Sequence, residues 1–332
     1  MKRDHWNNKQ VLVTGAGGFI GSHLVEALLA AGAKVRAFVR YTSRKDPGLL
    51  RQLSGEDFAR LELIAGDLRD EHAVRHAVKG CQTVFHLGAL ISIPYSYVHP
   101  VEVAQTNVMG TLNVLSACRE GGVQRLVHTS TSEVYGTARI VPIPEAHPLQ
   151  GQSPYSASKI GADKLAESFH YAYNLPVVTV RPFNTYGPRQ SARAVIPAII
   201  TQALALDRIR LGNLSTTRDF TFVADTVRGF LLAGEAPGAE GGVFNLGTGT
   251  EISVGDLARR IIRMVDRPVE IEADSERMRP EGSEVMRLLS DNSLAALRLG
   301  WQPQLSLDDG LAQTIDWIRG HLEMYKVGEY EY

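Results

Sequence analysis

The sequence contains little of what marks several protein classes. Cys81 and Cys118 are the two cysteines among 332 residues. They are too few and too isolated for a disulfide framework or a zinc site, so we expect both to pack as small apolar residues and expect no metal. Lysine and arginine number 35 against 36 acidic residues, a formal net charge of -1. Without a basic excess, nucleic acid is not an expected partner, and any anion site must be built locally.

Long apolar runs are also missing. The longest, residues 194–206, is shorter than the ~20 residues that a membrane span needs, and it contains Gln202. Residues 1–8 are polar and lead directly into a predicted strand, so no signal peptide is expected. The sequence therefore predicts a cytoplasmic protein without a membrane partner.

A glycine-rich turn lies between the first predicted strand, residues 10–14, and a helix that follows it. Glycines at positions 15, 18 and 21 let a backbone approach a pyrophosphate, which the N-terminus of the helix can then hold. A second strand, residues 34–40, completes a dinucleotide-binding unit. The cofactor-binding residues predicted in this turn are Gly15, Gly17, Gly18, Phe19, Ile20 and Gly21.

The end of the second strand bears on the choice of cofactor. An NAD site is expected to have an acidic residue there for the adenosine ribose. This chain instead has Arg40, followed by Arg44 and Lys45. Cations favour a 2′-phosphate, so NADP is slightly favoured over NAD, although Arg40 could equally stack on adenine or face solvent.

Strands and helices continue to alternate. Strands predicted at 61–65, 83–87, 125–129 and 177–181 bring the total to six, with long helices at 98–119 and 154–173. This pattern predicts an α/β protein with a Rossmann-type doubly wound parallel sheet, the cofactor lying across strand ends. The strand ends supply further predicted cofactor residues, with Asp67 positioned to accept from the adenine amino group: Asp67, Leu68, Leu87 and Ala89.

The character of the chain changes after residue 183. Loops rich in turn formers alternate with shorter helices, and several arginines occur along this half. We predict a dinucleotide-binding domain over residues 1–183, to which the chain returns near 219–247, and a smaller C-terminal substrate-binding lobe over residues 184–332.

A cluster of polar residues follows the fifth predicted strand. Thr131, Ser132 and Glu133 stand where a buried parallel strand reaches the crevice. Tyr155 and Lys159, four residues apart, lie on one face of a helix, roughly one turn from each other. A carboxylate, hydroxyls and a Tyr-Lys couple in one pocket suit acid–base chemistry on a hydroxylated substrate, so these five residues are the predicted catalytic set.

The glycine turn, the Tyr155/Lys159 pair and the Arg181-Pro182 strand end together resemble the extended short-chain dehydrogenase/reductase family. The resemblance covers nearly the whole chain. It implies a nicotinamide over the sheet and a nucleotide-sugar held by the second lobe. Tyr155 is then the acid–base on a sugar hydroxyl, and Lys159 lowers its pKa and holds the nicotinamide ribose, since a nearby cation favours a phenolate. Thr131 hydrogen-bonds the substrate oxygen.

Glu133 indicates the reaction within this family. Members that only epimerise C4 need no carboxylate there. With a ketone at C4, a carboxylate can remove the C5 proton, after which the C6 hydroxyl leaves and hydride returns to C6. Ser132 replaces the aspartate that protonates the leaving hydroxyl in dTDP-glucose dehydratases, so we assign both proton transfers to Glu133 as a hypothesis.

The finer resemblance is to soluble nucleotide-sugar 4,6-dehydratases that act on UDP- or GDP-linked N-acetylglucosamine. UDP-glucuronate decarboxylases share Thr-Ser-Glu and remain an alternative, followed by C4 epimerases and by a non-catalytic nucleotide-binding protein. The resemblance implies a diphosphate clamp and a sugar pocket, and it implies a homodimer formed through the two long helices. The residues assigned to the substrate are Ser92, Tyr95, Asn184, Arg189, Arg218 and Arg279.

Overall fold

The fold was analysed in a computed structural model, which describes residues 5–44 and 46–329. Residues 1–4, Lys45 and residues 330–332 lie outside the described part of the chain. The expectation about the start of the chain and the contribution of Lys45 to a cationic strand end therefore concern residues that the structure does not describe.

The strands lie mostly in the first 250 residues. Their bounds are β1 (Gln10–Thr14), β2 (Lys34–Arg40), β3 (Glu62–Gly66), β4 (Thr83–His86), β5 (Arg125–Thr129), β6 (Val177–Pro182), β7 (Asn184–Tyr186), β8 (Arg208–Leu211), β9 (Thr217–Arg218), β10 (Phe220–Phe222), β11 (Val243–Leu246), β12 (Ile252–Ser253), β13 (Glu270–Ala273) and β14 (Arg287–Leu288).

Helices connect most of these strands. Their bounds are α1 (Phe19–Ala30), α2 (Gly55–Ala59), α3 (Glu71–Val78), α4 (Ile93–Val98), α5 (Pro100–Ala104), α6 (Gly110–Glu120), α7 (Pro154–Tyr173), α8 (Val195–Ala205), α9 (Val223–Glu235), α10 (Val254–Val265), α11 (Ser293–Leu299) and α12 (Leu307–Gly320).

The main sheet is parallel and, within the described residues, has seven strands in the order β11-β6-β5-β4-β1-β2-β3. The strand order reverses between β1 and β4, which opens a crevice at their carboxyl ends. The predicted Rossmann-type sheet is confirmed. The six strands predicted for it are joined by β11, which pairs with β6 after the chain has passed through the first part of the second half.

The central strands are buried on both faces, as covered parallel strands are. Every residue of β4 is buried, and so are most residues of β5 and β6. The polar exceptions lie beside one another. Thr14 pairs with His86, and His86 pairs with His128, in the register of β1, β4 and β5. A row of polar side chains therefore crosses the sheet just below the crevice.

The prediction of one continuous helix over residues 98–119 is wrong. The structure breaks it at His99, whose φ is -124° and ψ is 54°, because the residue before a proline is disfavoured in the helical region. A short π turn, Gln105–Met109, then links α5 to α6. This turn brings Asn107 to face the end of β4.

Helix α7 agrees with its prediction at both ends. Ser153 caps it in a capping box with Ser156, and Pro154 stands in its first turn. It ends at Asn174, which has a left-handed φ of 53°. Since α7 is anchored in this way, Tyr155 is held in the first turn, close to the end of β5.

The second half builds a smaller layer of helices and short strands. Helices α8, α10 and α12 pack together, with β8 paired to β13 and β9 flanked by β12 and β14. The closing helix, predicted over 311–322, begins four residues earlier because Ser306 caps it. The division at residues 183 and 184 remains a prediction, since α9 and β11 pack with the main sheet.

Three expected absences can be compared with the described residues. Both cysteines are free and buried there. Across residues 5–44 and 46–329, no cluster of His, Cys, Asp and Glu side chains has the geometry to hold a metal ion. In that same part of the chain, no helix combines the length and apolarity required to cross a bilayer.

Candidate active site

The end of β5 forms the first wall of the site. The chain leaves β5 in an extended conformation, and Thr131 caps a short 3₁₀ turn over Ser132–Tyr135 by accepting from the Glu133 amide at 3.2 Å. This local bond directs the turn toward the crevice. Ser132 is buried and the Glu133 side chain is largely shielded, with 14% of its surface exposed.

Tyr155 lies opposite this turn and is buried. Burial raises the pKa of Tyr155, a hydrogen bond with the Thr131 side chain lowers it, and the charges of Glu133 and Asp163 raise it further. Tyr155 therefore contacts Thr131 and lies within the field of Glu133, as the predicted catalytic set requires.

Lys159 follows Tyr155 on the same helical face and is also buried. Its Nζ donates to the Thr129 carbonyl at 2.7 Å. Burial lowers the pKa of Lys159 to about 8, against the opposing effect of Asp163. The sequence analysis expected Lys159 to lower the pKa of the Tyr155 phenol. The pKa of Tyr155 is instead raised, because burial of the phenol outweighs the other effects on it.

A buried carboxylate supports the catalytic helix from behind. Asp163 accepts from the Ser130 hydroxyl at 2.7 Å and from Arg181 Nη2 at 3.0 Å, and it contacts His128 Nε2 at 3.1 Å. Burial opposes ionisation of Asp163, but His128, Arg181 and Lys159 hold its pKa at about 2. Asp163 therefore joins α7 to β5 and β6 and compensates two nearby cations. Sequence reasoning missed it, although its position four residues after Lys159 places it on the same helical face.

Asn107 fixes a further loop at the site. Its amide accepts from the Leu90 N–H at 2.8 Å and donates to the Leu90 carbonyl at 2.9 Å and to Ser158 Oγ at 3.0 Å. Because Ser158 precedes Lys159, the π turn ties the loop after β4 to the catalytic helix. The sequence places Asn107 in a helix but does not indicate this function.

The glycine turn closes tightly on the protein itself. Gly15 has a φ of +69°, and a Cβ there would lie 2.8 Å from the Gly88 nitrogen. A Cβ at Gly21 would lie 2.2 Å from the Gly15 carbonyl. At Gly18, which caps α1 without a side-chain bond, the nearest atom is farther away, at 3.2 Å. The turn thus leaves the N-terminus of α1 open to an anion.

A cavity of about 140 Å³ adjoins this turn at the ends of β1 to β4. It suits the adenosine end of a dinucleotide by position, since it lies at the reversal of strand order. Predicted cofactor residues among its lining are Gly15, Arg40, Asp67, Leu68 and Ala89. Leu87 continues the β1 pairing through its amide, and Phe19 and Ile20 pack against the core. Open backbone, cavity and helix terminus together fit a dinucleotide.

Two charged residues of this cavity already have protein partners. Both carboxylate oxygens of Asp67 accept from Arg69, at distances as short as 2.6 Å. The hydrogen bonds with Arg69 lower the pKa of Asp67 despite partial burial. Asp67 is thus near the predicted adenine position but is engaged by Arg69, which the sequence analysis did not assign.

Arg40 also differs from its prediction. The sequence offers no acid at the end of β2, yet the fold brings Glu102 of α5 to within 3.3 Å of Arg40 Nη2. Tyr95 donates to the other oxygen of Glu102 at 2.6 Å. Tyr95, predicted to line the sugar pocket, therefore points toward the Arg40 side of the crevice, and Ser92 caps α4.

The substrate side of the crevice gathers three of the predicted residues. Asn184 begins β7, and its Oδ1 is buried with no hydrogen-bond partner among the described residues. Arg218 on β9 is buried and pairs with Glu284 at 3.5 Å. Arg279 Nη1 lies 3.8 Å from Glu133 Oε2. The second half thus brings two guanidiniums toward the catalytic turn.

Arg189 is not brought to this cluster. Its φ is 70°, and its Nη2 donates to Glu26 Oε2 at 2.8 Å on helix α1. The preceding Pro188 carbonyl contacts His23 of the same helix at 3.0 Å. These contacts turn the 188–189 segment onto α1, so the position of Arg189 does not support a substrate contact.

A larger cavity, of about 490 Å³, lies elsewhere. It opens between α7 and residues 145–149, beside β6 and β11. Asp163 and Arg181 form part of its wall, whereas Thr131, Glu133 and Tyr155 do not. Its size alone does not make it the reaction site, because the acid–base groups face the crevice.

Comparison with known proteins agrees with this geometry. The family model described as GDP-mannose 4,6 dehydratase matches residues 12–314. A UDP-glucose 4-epimerase of Mycolicibacterium smegmatis is 36% identical over 316 residues, covering 93% of this chain and 98% of that protein. A dTDP-glucose 4,6-dehydratase of an Actinoplanes species is 33% identical over 319 residues, covering 94% and 98%.

A solved structure is similar over the same length. DesIV, a dTDP-glucose 4,6-dehydratase from Streptomyces venezuelae solved with NAD bound, superposes with a TM-score of 0.86 at 31% identity, covering 96% of this chain and 99% of that one. The sheet and the Tyr155/Lys159 helix define an extended short-chain dehydrogenase/reductase. Within that class, the chain belongs to the GDP-mannose 4,6-dehydratase family, which groups nucleotide-sugar 4,6-dehydratases and epimerases. The predicted resemblance to the extended short-chain dehydrogenase/reductase family is confirmed.

Proposed function

We propose that this protein is a nucleotide-sugar 4,6-dehydratase that converts UDP- or GDP-linked N-acetylglucosamine to the 4-keto-6-deoxy sugar. The observation that carries the proposal is the place of Glu133. It lies on the turn capped by Thr131, and its charge acts on Tyr155. An epimerase that only oxidises and re-reduces C4 has no use for a carboxylate at this point.

The cofactor is proposed to be NAD or NADP. The open N-terminus of α1 would hold the pyrophosphate, the cavity at Gly15 and Ala89 would hold the adenosine, and Lys159 would bind the nicotinamide ribose. When bound, the nicotinamide would supply the hydride acceptor for oxidation at C4 and the hydride donor for reduction at C6. NADP finds no support in the relatives compared above, so a preference for it depends on Arg40 alone.

The protein residues then handle the protons. Tyr155 accepts the C4 hydroxyl proton while Thr131 holds that oxygen. Glu133 takes the C5 proton, and the C6 hydroxyl leaves as water after receiving a proton from Glu133. When the hydride returns to C6, C5 receives the proton that Tyr155 took from the C4 hydroxyl. Tyr155 therefore ends the turnover in its starting state, and C4 remains a ketone. Overall, one water is lost and no net oxidation occurs.

Ser132 contributes a hydroxyl to the same turn rather than an acid. A serine hydroxyl is a poor proton donor compared with a carboxylic acid. Both proton transfers at C5 and C6 are therefore assigned to Glu133, whose side chain lies one residue farther along the turn. Ser132 is proposed to orient the leaving hydroxyl.

A second candidate follows from Arg279. A UDP-glucuronate decarboxylase needs a cation for the carboxylate of its substrate, and Arg279 lies within 3.8 Å of Glu133. This arrangement suits a uronate better than it suits a neutral C6 hydroxyl. The two candidates differ in what leaves the sugar, carbon dioxide or water.

Two further features are proposed with this function. A homodimer is supported by exposed apolar side chains on the two helical regions predicted to form it, among them Val98, Val101 and Tyr171. Apolar surface of this kind marks protein interfaces. A cytoplasmic location is proposed from the composition alone.

The test is product mass after incubation with UDP- and GDP-linked sugars. We expect loss of one water from an N-acetylglucosamine substrate. Glu133→Gln should retain C4 oxidation, seen as reduced cofactor in a single turnover, and should lower elimination by about 10²- to 10⁴-fold because the general base is gone. Glu281→Gln, an exposed change in the second half, is the matched control.

Three outcomes count against the proposal. If the Glu133→Gln variant dehydrated the sugar at the full rate, Glu133 would not be the general base. Release of carbon dioxide from a uronate would establish the decarboxylase, and an altered sugar of unchanged mass would establish an epimerase.

A further inference from the structure

One segment of the second half reaches across the crevice to the catalytic turn. We call residues 275–286 the strap. Ser283 Oγ shares a hydrogen bond of 2.6 Å with the Tyr97 hydroxyl, and Gln152 donates to the Gly282 carbonyl at 3.2 Å. Both partners belong to the first half of the chain, so the strap lies over the site between the two halves.

Four charged side chains meet under the strap, and two of the four belong to the strap itself. Arg279 of the strap faces Glu133 of the catalytic turn at 3.8 Å, and Glu284 of the strap faces Arg218 at 3.5 Å. The exposed fractions of the Glu133, Glu284 and Arg218 side chains are 14%, 13% and 7%. Two carboxylates and two guanidiniums thus neutralise each other in a shielded space.

These four groups interact electrostatically as one cluster. Burial lowers the pKa of Arg218, Glu133 and Glu284 oppose that effect, and Arg279 adds to it. Arg218 therefore senses both carboxylates and the second guanidinium.

The contact between Arg279 and Glu133 leaves bonding capacity unused. A distance of 3.8 Å is too long for a hydrogen bond. Nη1 of Arg279 is buried and has no hydrogen-bond partner among the described residues. The same is true of Asn184 Oδ1 on the facing strand β7. Buried polar atoms are normally satisfied, so this side of the crevice is arranged for a further ligand.

We propose that the diphosphate of a nucleotide sugar exchanges partners with the strap: Arg279 and Arg218 neutralise Glu133 and Glu284 in the free protein, and the diphosphate replaces both carboxylates. The exchange rests on the proposed function for the role of Glu133 as the base. In this exchange Glu133 loses the guanidinium that faces it at 3.8 Å. Glu133 is thereby released for proton transfer only when a substrate with a diphosphate is in place.

The exchange predicts that Glu133 competes with the diphosphate for Arg279. We would titrate UDP and GDP, each alone, into the full-length protein with NAD present and follow binding by calorimetry. For the nucleotide that binds more tightly, Glu133→Gln should bind about fivefold more tightly than the wild type, because a shielded ion pair no longer has to be broken. Arg279→Gln should bind it more weakly.

A double-mutant cycle separates exchange from simple repulsion between Glu133 and the diphosphate. If Arg279 carries the effect, adding Glu133→Gln to Arg279→Gln should change affinity by less than about twofold. Equal tightening in both backgrounds, no tightening in Glu133→Gln, or failure of both nucleotides to bind the wild type overturns the proposal.

The remaining variants keep this result interpretable. Glu281→Gln removes an exposed charge from the same strap and should leave affinity unchanged. Glu284→Gln tests the second pair and should also tighten binding. Thermal unfolding identifies any variant that fails to fold, and the Glu284 pair then decides the outcome. Because these measurements need no turnover, failure of the dehydratase assignment appears only in product mass, whereas failure of the exchange appears only in binding.

Discussion

The cofactor side and the substrate side of the crevice satisfy their polar groups in different ways. On the cofactor side, Asp67 is bound by Arg69 through short hydrogen bonds, and the glycine turn packs on its own backbone. On the substrate side, Arg279 and Glu133 face each other at 3.8 Å, and a buried donor of Arg279 has no hydrogen-bond partner within residues 5–44 and 46–329. The first side pairs its charged side chains within the chain, whereas the second has the character of a site whose bonds form with its ligand.

The buried ion pair of Asp163 and Arg181 behind helix α7 is also made within the chain, and its loss should have the largest effect on stability. Asp163→Asn should lower the free energy of unfolding by about 3–5 kcal/mol, because Arg181 would be left as an uncompensated buried charge. Urea unfolding measures it. Glu167→Gln, on the same helix but in an exposed pair with Lys164, should cost less than about 1 kcal/mol.

The lowered pKa of Asp163 predicts that the stability of the protein depends on pH. The folded pKa of Asp163, about 2, lies below its ordinary value of 3.8. Its contribution to stability is therefore complete above the ordinary value and is lost as the pH falls toward 2. Asp163→Asn should lack this part of the acid dependence. An identical acid profile in the variant would show that the buried ion pair does not set it.

The glycine turn should show an intermediate effect. Gly15→Ala places a Cβ 2.8 Å from the Gly88 nitrogen at a φ of +69°, so we expect a loss of about 2–3 kcal/mol in unfolding free energy together with weaker NAD binding. Gly80 has a similar φ of +77° but nothing within 4 Å of its Cβ position. Gly80→Ala therefore measures the backbone strain alone. Equal losses at the two positions would mean that the contact with Gly88 contributes nothing.

The smallest effect is expected at Arg40, an exposed cation on the cofactor side of the crevice. Arg40 is 64% exposed and pairs with Glu102 at 3.3 Å. If it faces a 2′-phosphate, Arg40→Ala should weaken NADP about threefold more than NAD, a modest effect because the side chain is solvated. Lys34→Ala, at the other end of β2, serves as the control in the same binding titrations. Equal effects on the two cofactors would remove the case for NADP.

Local patterns predicted the parts of the fold that depend on neighbours in sequence. The start of α7 was predicted from Pro154, which stands in its first turn, and the dinucleotide unit followed from the glycine spacing. Where a local signal was overlooked, the prediction failed, as at Pro100, which divides the helix expected over 98–119. The grouping of Thr131 with Tyr155 in one pocket was also predicted, because Thr131 follows the end of a buried parallel strand, where the crevice of such a sheet lies.

The sequence by itself determined the sheet class, the helical spacing that puts Tyr155 and Lys159 on one face, and the presence of a carboxylate at Glu133. The tertiary structure decided which charges meet. It paired Arg189 with Glu26, Arg40 with Glu102 and Arg279 with Glu133. The physical reason is reach: a long, flexible arginine side chain selects a partner by position in space, and the partner can lie anywhere in the sequence. Glu133 was the residue on which the functional prediction depended, and the fold added the cation that faces it.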